Sequence, residues 1–447
     1  MKILNHNTSK NLPHLVIIGG GFGGLTLAKS LKNTPIRLTL VDRKNHHLFQ
    51  PLLYQVASAV LSPGDIAVPI RWVLRKQANT KVLLAEVTSI DIVNKQIKFV
   101  DQTLRYDMLA LAAGVKNDYF GNKDWNKHAP GLKSVDDALE LRERILMAYE
   151  LAEWSTNPEE QQKNLTFVVV GGGATGVEMA GALAEIARQT LLKDFRNIDS
   201  SDANVILIEG SNKLLNGFRE PIPEKARNQL ESIGVEVITN KQVTKIDENG
   251  VVFGEKRINA STVFWAAGVR ASFFVNELDT PKDWMGRIIV EPDCSIPNHP
   301  EVFVIGDLAN HQHAKEEKDS PPDNPLPGVA QTAIQMGNHV AKCINADLAG
   351  RMRPRFIYKN LGNMATVGRS KAVADIFGIR FAGMLAWYIW LFVHLMSIVG
   401  FRNRLIVLIQ WFWSYLSLQR GARLIYGKNR TNSLNYHRKG NNGNRSL

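Results

Sequence analysis

The chain has 447 residues, 45% of them hydrophobic, enough for two or three domains with real cores. Its formal charge of +12 is gathered at one end: Ile376 to Leu447 carries ten Lys/Arg and no Asp or Glu, and the rest sets 44 cations against all 42 carboxylates. A balanced body argues against a nucleic-acid partner, and a basic, aromatic C-terminus points to an anionic membrane surface.

Met1 to His14 is polar and short, and an apolar run follows at once. No secretory segment fits there, so the bulk of the protein is expected on the cytoplasmic side. A strand is predicted over 14–18 and a helix over 22–32. Between them lies Gly19-Gly20-Gly21-Phe22-Gly23-Gly24. In a G-x-G-x-x-G the first glycine permits a tight turn, the second admits a pyrophosphate, and the third lets helix and strand pack closely. A strand at 37–41 ends in Asp42, 23 residues after Gly19, where a carboxylate can accept from ribose hydroxyls. The bland alternative is a solvated turn aspartate. The next loop carries His46-His47-Leu48-Phe49-Gln50-Pro51, and alternating segments follow at 81–90 and 95–100. The strand Leu109 to Ala113 then ends at Gly114.

A charged helix is predicted over 134–153, supported by i,i+4 pairs such as Glu140–Arg144, and Thr156 to Asn164 reads as a linker. A second unit then repeats the first. Phe167 to Val170 leads into Gly171-Gly172-Gly173-Ala174-Thr175-Gly176, 152 residues after the first motif. Val205 to Ile208 ends in Glu209, and Val263 to Ala267 ends in Gly268. Glu209 comes 38 residues after Gly171; a longer helix and the polar loop Asp194 to Asn204 account for the excess. A carboxylate there repels a 2′-phosphate and favours NADH over NADPH, although Lys213 offsets this in part. Two fingerprints in context imply two dinucleotides bound together, the arrangement of a flavoprotein reductase.

Hydride transfer between such cofactors needs ring positioning more than acid–base groups. Glu178, in the first turns of the second fingerprint helix, faces the space between the nucleotides; alternatively it complements the helix dipole. Asp307 follows the strand Val302 to Ile305, where it can bond a ribityl chain or cap a helix. Ala330-Gln331-Thr332-Ala333-Ile334-Gln335 opens a helix whose N-terminus can stabilise charge on a reduced ring. Only Cys294 and Cys343 are present, without a C-x-x-C, which excludes a disulfide framework and fits a reducing compartment. His46-His47 and His311-x-His313 lack further ligands at metal spacing, so no metal is expected and these histidines are placed in loops.

Phe381 to Gly400 is twenty residues free of Lys, Arg, Asp and Glu, with His394 its one histidine. By length it could span a bilayer, form a core helix, or lie in the membrane plane. Arg402 and Arg404 interrupt the run before Leu405 to Leu418, and Trp387, Trp390, Trp411 and Trp413 suit anchoring by rings and snorkelling cations.

Together the stretches Val16 to Leu25, His46 to Ala57, Gly171 to Glu185, Val302 to Asp307 and Ala330 to Gln335 resemble the type II NADH:quinone oxidoreductases, to about Gln419. The resemblance implies an α/β fold of two Rossmann-like domains, the FAD domain (1–125 and 291–375) split by an inserted NADH domain (165–290). A helical connection (126–164), amphipathic anchor helices (376–420) and a basic, disordered tail (421–447) complete it. Non-covalent FAD falls to Gly19, Gly20, Gly21, Phe22, Gly23, Gly24, Asp42, Arg43, Val87, Gly114, Asp307, Ala330 and Gln331. NADH, as substrate, falls to Gly171, Gly173, Ala174, Thr175, Gly176, Glu209, Ala267 and Gly268. Gln331 and Gln335 border a membrane quinone, and Glu178 is the catalytic candidate near the nicotinamide–flavin contact. The implied protein is monotopic; it is expected on the cytoplasmic face of a bacterial inner membrane, admits a homodimer, and, because the apolar run offers only His394 as an ionisable group, is expected to transfer electrons without pumping protons. Rival readings are a sulfide:quinone oxidoreductase, which needs cysteines beside the flavin, and a non-catalytic flavin-binding membrane protein.

Overall fold

The computed structural model describes residues 12–100, 102–271, 278–312, 325–417 and 420–425. Its first sheet runs in the order Ser295–Ile296, His299–Val304, Met108–Leu111, His14–Ile18, Arg37–Asp42, Thr80–Leu84. All pairings are parallel except that of Ser295–Ile296. His14–Ile18 is buried along its whole length, as a strand covered on both faces must be. The chain leaves this sheet after Leu111 and returns to it at Ser295.

The intervening residues build a second parallel sheet, ordered Val235–Ile238, Asn204–Ile208, Thr166–Val170, Thr262–Trp265. The helix Val135–Trp154 bridges the two units. A reciprocal capping box starts it, with Ser134 and Asp137 each accepting from the other's backbone N–H. Its buried Arg142 donates to the carbonyls of Val56 and Leu61, tying the bridge to the first unit.

Several expectations need correction. The stretch read as a linker holds a helix, Pro158–Asn164, because Asn157 caps it and Pro158 occupies its first turn. His46 and His47 lie on a short strand, His46–Leu48, paired with Ala67–Pro69, and not in a loop. His47 is buried with Nδ1 3.0 Å from the Gly20 carbonyl oxygen. Among the described residues no cluster of three metal-ligating groups exists; His313 lies outside them.

After the helix Ala330–Leu348 the chain forms an antiparallel three-stranded sheet, Asn363–Gly368, Lys371–Ile376 and Ile379–Ala382. Two helices follow, Met384–Ser397 and Phe401–Ser417. The apolar run Phe381 to Gly400 is therefore not one helix. It begins in a strand, turns at Gly383 (φ +79°), and breaks again at Gly400 (φ +92°), leaving fourteen helical residues. Among the described residues no helix is long and apolar enough to cross a membrane. Residues 421–425, assigned by sequence to a disordered tail, continue an ordered segment in which Arg423 pairs with Asp194; residues 426–447 lie outside the description.

Candidate active site between the two nucleotide folds

The two glycine turns are geometric copies. Gly19 and Gly171 sit at φ +107° and +110°, a conformation L side chains rarely adopt. A Cβ on Gly171 would lie 2.6 Å from the Ala266 carbonyl carbon, and one on Gly19 would strike the matching Ala112 backbone. Gly24 and Gly176 pack against the carbonyls of Gly19 and Gly171, so helix and strand touch backbone to backbone. Gly21 and Gly173, the N-cap residues, instead face open space, with nothing within 4 Å of an added Cβ. Gly173, Ala174 and Thr175 are exposed at the helix start. Free N–H groups beside unfilled space suit a pyrophosphate at each turn.

Asp42 and Glu209 play matched parts. The Gly20 N–H donates to Asp42 Oδ2 and the Gly172 N–H to Glu209 Oε2, each at 2.5 Å. Lys44 N–H holds the other Asp42 oxygen at 2.7 Å, and Ser211 holds Glu209 through N–H and hydroxyl at 2.8 and 2.5 Å. Each carboxylate is thus fixed at the mouth of its own turn. Arg43 pairs loosely with Glu86 at 3.7 Å, and Val87 is buried in the first core. Gly114 takes φ +65°, and the Gly268 carbonyl accepts from Asp118 N–H in the segment that joins the two units.

Asp307 sits in a single helical turn after His299–Val304, with Gly328 close against its side chain. Burial pushes its carboxyl pKa up, opposed by the Lys133 ammonium. Burial in turn lowers the Lys133 pKa, opposed by Asp307. The sequence reading missed Lys133; its only signal was its place one residue before the Ser134 cap. The amides of Gln331 and Gln335 bond the backbone of the next segment: Nε2 donates to Gly362 O at 2.8 Å and to Lys359 O at 2.9 Å. Their oxygens accept from the N–H groups of Leu361 and Lys359.

Beside the second fingerprint helix lies a cavity of about 610 Å³, enclosed by the two C-terminal helices. Glu178 lines it; neither Gln331 nor Gln335 does. Burial raises the Glu178 pKa to about 8, moderated by the Thr366 backbone and the Trp390 indole. The Trp411 indole donates to Gln55 Oε1 at 2.7 Å, and Gln55 Nε2 donates to the Tyr54 hydroxyl at 2.9 Å. Burial pushes the Tyr54 pKa well up, with the Glu178 charge adding to it. Trp390 stacks on His394 with centroids 4.2 Å apart; burial lowers the His394 pKa to about 4, so that ring is neutral at pH 7. At the far end Arg420 donates to Glu185 Oε2 at 2.9 Å and to Ser58 O at 2.7 Å. Tyr54, Gln55, Trp390, Glu185 and Arg420 were not singled out as site residues, because their convergence is tertiary.

Tyr388, Phe392, Leu408, Phe412 and Leu416 line the cavity and are also among the exposed large apolar residues. The cavity therefore opens between the helices onto their outer face. Of the four tryptophans expected to anchor, Trp390 is 1% exposed and belongs to the core; only Trp413, at 63%, points fully outward. Neither cysteine lines the cavity; both are buried in the first core.

A split parallel sheet, a second Rossmann-like unit and paired glycine turns define the pyridine nucleotide-disulphide oxidoreductase class, whose family model matches residues 13–337. The model of the NDH2 C-terminal domain matches residues 360–418. Over 427 residues the chain is 45% identical to the type II NADH:quinone oxidoreductase Ndh of Mycobacterium tuberculosis, covering 92% of this chain and 90% of that protein. The chain belongs to the type II NADH:quinone oxidoreductase family. The structure of NDH2 from Plasmodium falciparum in complex with NADH matches with a TM-score of 0.83 at 20% identity, over 93% of this chain and 100% of that one. The sulfide:quinone oxidoreductase of Aquifex aeolicus matches at 0.69 and 18% identity, over 94% of each, and shows the shared fold.

Proposed function

We propose that the chain carries non-covalent FAD on its first fingerprint, binds NADH on its second, and delivers two electrons to a membrane quinone in the cavity beside Glu178. Bound FAD would supply the redox chemistry, accepting a hydride and giving up two electrons and a proton. The Gly21–Phe22 turn would hold its pyrophosphate, Asp42 its ribose, and Asp307 its ribityl chain, with Lys133 balancing the Asp307 charge. The Gly173–Thr175 turn would hold the NADH pyrophosphate, and Glu209 would face the adenosine ribose. Glu178 keeps its proton at neutral pH and can give it to a quinone oxygen. The apolar walls exclude water.

One observation carries this reading: an apolar cavity lined by the Glu178 carboxyl opens between two helices onto an exposed hydrophobic face. A lipid-soluble quinone could enter from a bilayer without crossing water. We place the protein on the cytoplasmic face of a bacterial inner membrane, bound through that face. It would not move charge across the bilayer, since the long apolar run offers His394 alone as an ionisable group for a proton path. The test is to purify the yellow protein and follow NADH oxidation with and without quinone. Bleaching by NADH and recovery with quinone over many turnovers is expected; stoichiometric oxidation without turnover would leave only a flavin-binding protein.

A further inference from the structure

The apolar outer face of the C-terminal helices has a neighbour from the first domain. The short helix Ile70–Leu74 follows Pro69 and carries Trp72, a large aromatic ring left 47% exposed. This ring lies against the turn between the two C-terminal helices: a Cβ on Gly400 would sit 3.8 Å from its six-membered ring. The Arg75 guanidinium stacks over the indole, 4.4 Å from its centroid. Arg75 and Lys76 are both exposed, and neither forms an ion pair among the described residues. Residues 70–78 contain no carboxylate at all.

Across the turn, Phe401 is 79% exposed and Arg402 is also exposed. The turn is fixed to the first domain, because buried Asn403 donates to the carbonyls of Gly64 and Asp65 at 3.0 Å each. Trp72 and the helix turn thus form one surface. An indole with an apolar body and a polar edge settles at headgroup depth, and unpaired cations beside it attract phosphate. A protein partner would have to match this charge with carboxylates and also leave the adjoining apolar face free for lipid. Continuity with that face favours the membrane.

We infer that Trp72, Arg75 and Lys76 form a second membrane-contact site, outside the C-terminal segment, that takes the headgroups of anionic phospholipids. The inference rests on the membrane docking proposed above. It also fixes the tilt of the molecule, since the helix pair alone would leave it free to roll about the pair.

Binding of the full chain to vesicles of phosphatidylcholine, alone or with phosphatidylglycerol, tests it by co-sedimentation at low salt. Arg75→Gln/Lys76→Gln should bind the anionic vesicles roughly 25-fold more weakly, about fivefold per cation, and the neutral ones as wild type does. Trp72→Ser should weaken binding to both by about tenfold, as for a half-buried ring. Turnover with a water-soluble quinone should stay at the wild-type value, since none of the three side chains lines the cavity, and the Arg75→Gln/Lys76→Gln variant should keep the wild-type melting temperature, since both side chains are exposed. Partitioning equal to wild type on both vesicle types would overturn the inference while leaving the docking reading intact. So would a loss of self-association in lipid-free solution with vesicle binding unchanged, which would make the patch a contact between copies. Wild-type protein that ignores both vesicle types would remove the docking reading itself.

Discussion

Glu178 holds its proton in neutral solution because burial beside Trp390 and Thr366 raises its pKa to about 8. Its unfolded counterpart ionises near 4.5. The folded state therefore binds more protons between these values, and the contribution to stability is full below 4.5 and is lost as pH rises through about 8. Glu178→Gln removes this titration, so its melting temperature should gain on the wild type from pH 4.5 upward and level off above 8. Turnover with quinone should fall roughly 100-fold in the variant, typical of a lost general acid, with bleaching by NADH unaffected. The wild-type rate should decline as pH passes about 8, and the variant should lack that limb. An unchanged rate would leave Glu178 without a part in quinone reduction. Glu209 is open to a sharper comparison. Glu209→Gln keeps an acceptor for Gly172 N–H but removes the charge, so the preference for NADH over NADPH should shrink about tenfold. Equal kcat/KM for the two nucleotides in the wild type would refute its role. Both carboxylates were legible because glycine spacing places them relative to a turn. Lys133 and Arg420 were not, because their partners Asp307 and Glu185 are remote in sequence.

At the scale of elements, the parts set by short-range chemistry were readable: the glycine turns, the strand His14–Ile18, the charged helix over 134–153 and the helix opening at Ala330. The parts set by packing were not. A polar stretch with a capping Asn and a leading Pro is a helix here, and an apolar run of twenty residues is a strand, a glycine turn and a helix. Composition cannot separate these outcomes, because both glycine breaks look like ordinary small residues in a hydrophobic window. The helix pair is latched by Arg420, 5% exposed, whose guanidinium bridges Glu185 on the second fingerprint helix and Ser58 in the first domain. Glu185 also accepts from Arg369 N–H, and Arg369 stacks on Tyr415, 4.0 Å from the ring centroid. Arg420→Ala leaves the Glu185 charge without its buried partner and should lower unfolding free energy by about 3–5 kcal/mol. Arg420→Met with Glu185→Met should recover most of that loss in denaturant titrations, since apolar replacements remove both charges. If the double variant is as unstable as the single one, the latch works through shape and not charge.

For the whole molecule, the question is which force holds it at a bilayer. The outer face of the helix pair presents Phe392, Phe412, Trp413 and Leu416 at 63–66% exposure, with Phe401 at 79%. Each such side chain gains about 1.5–3 kcal/mol on full burial, a contribution salt does not screen. Cations near an anionic surface add about 1 kcal/mol each, which salt does screen. The apolar contribution is the larger, so concentrated salt should leave the protein on membranes and detergent should release it. Salt should still trim affinity on anionic vesicles, and by the share that Arg75, Lys76 and Arg402 supply. Exposed residues of that face also line the cavity, so under the proposed function anchoring and quinone access would draw on one surface. Replacing Phe392 and Phe412 by Ser should therefore weaken binding and raise KM for a long-tailed quinone together, while a water-soluble quinone is turned over at the wild-type kcat. Should concentrated salt alone strip the intact protein from membranes, the anchor is electrostatic, and the exposed helical face has some other partner.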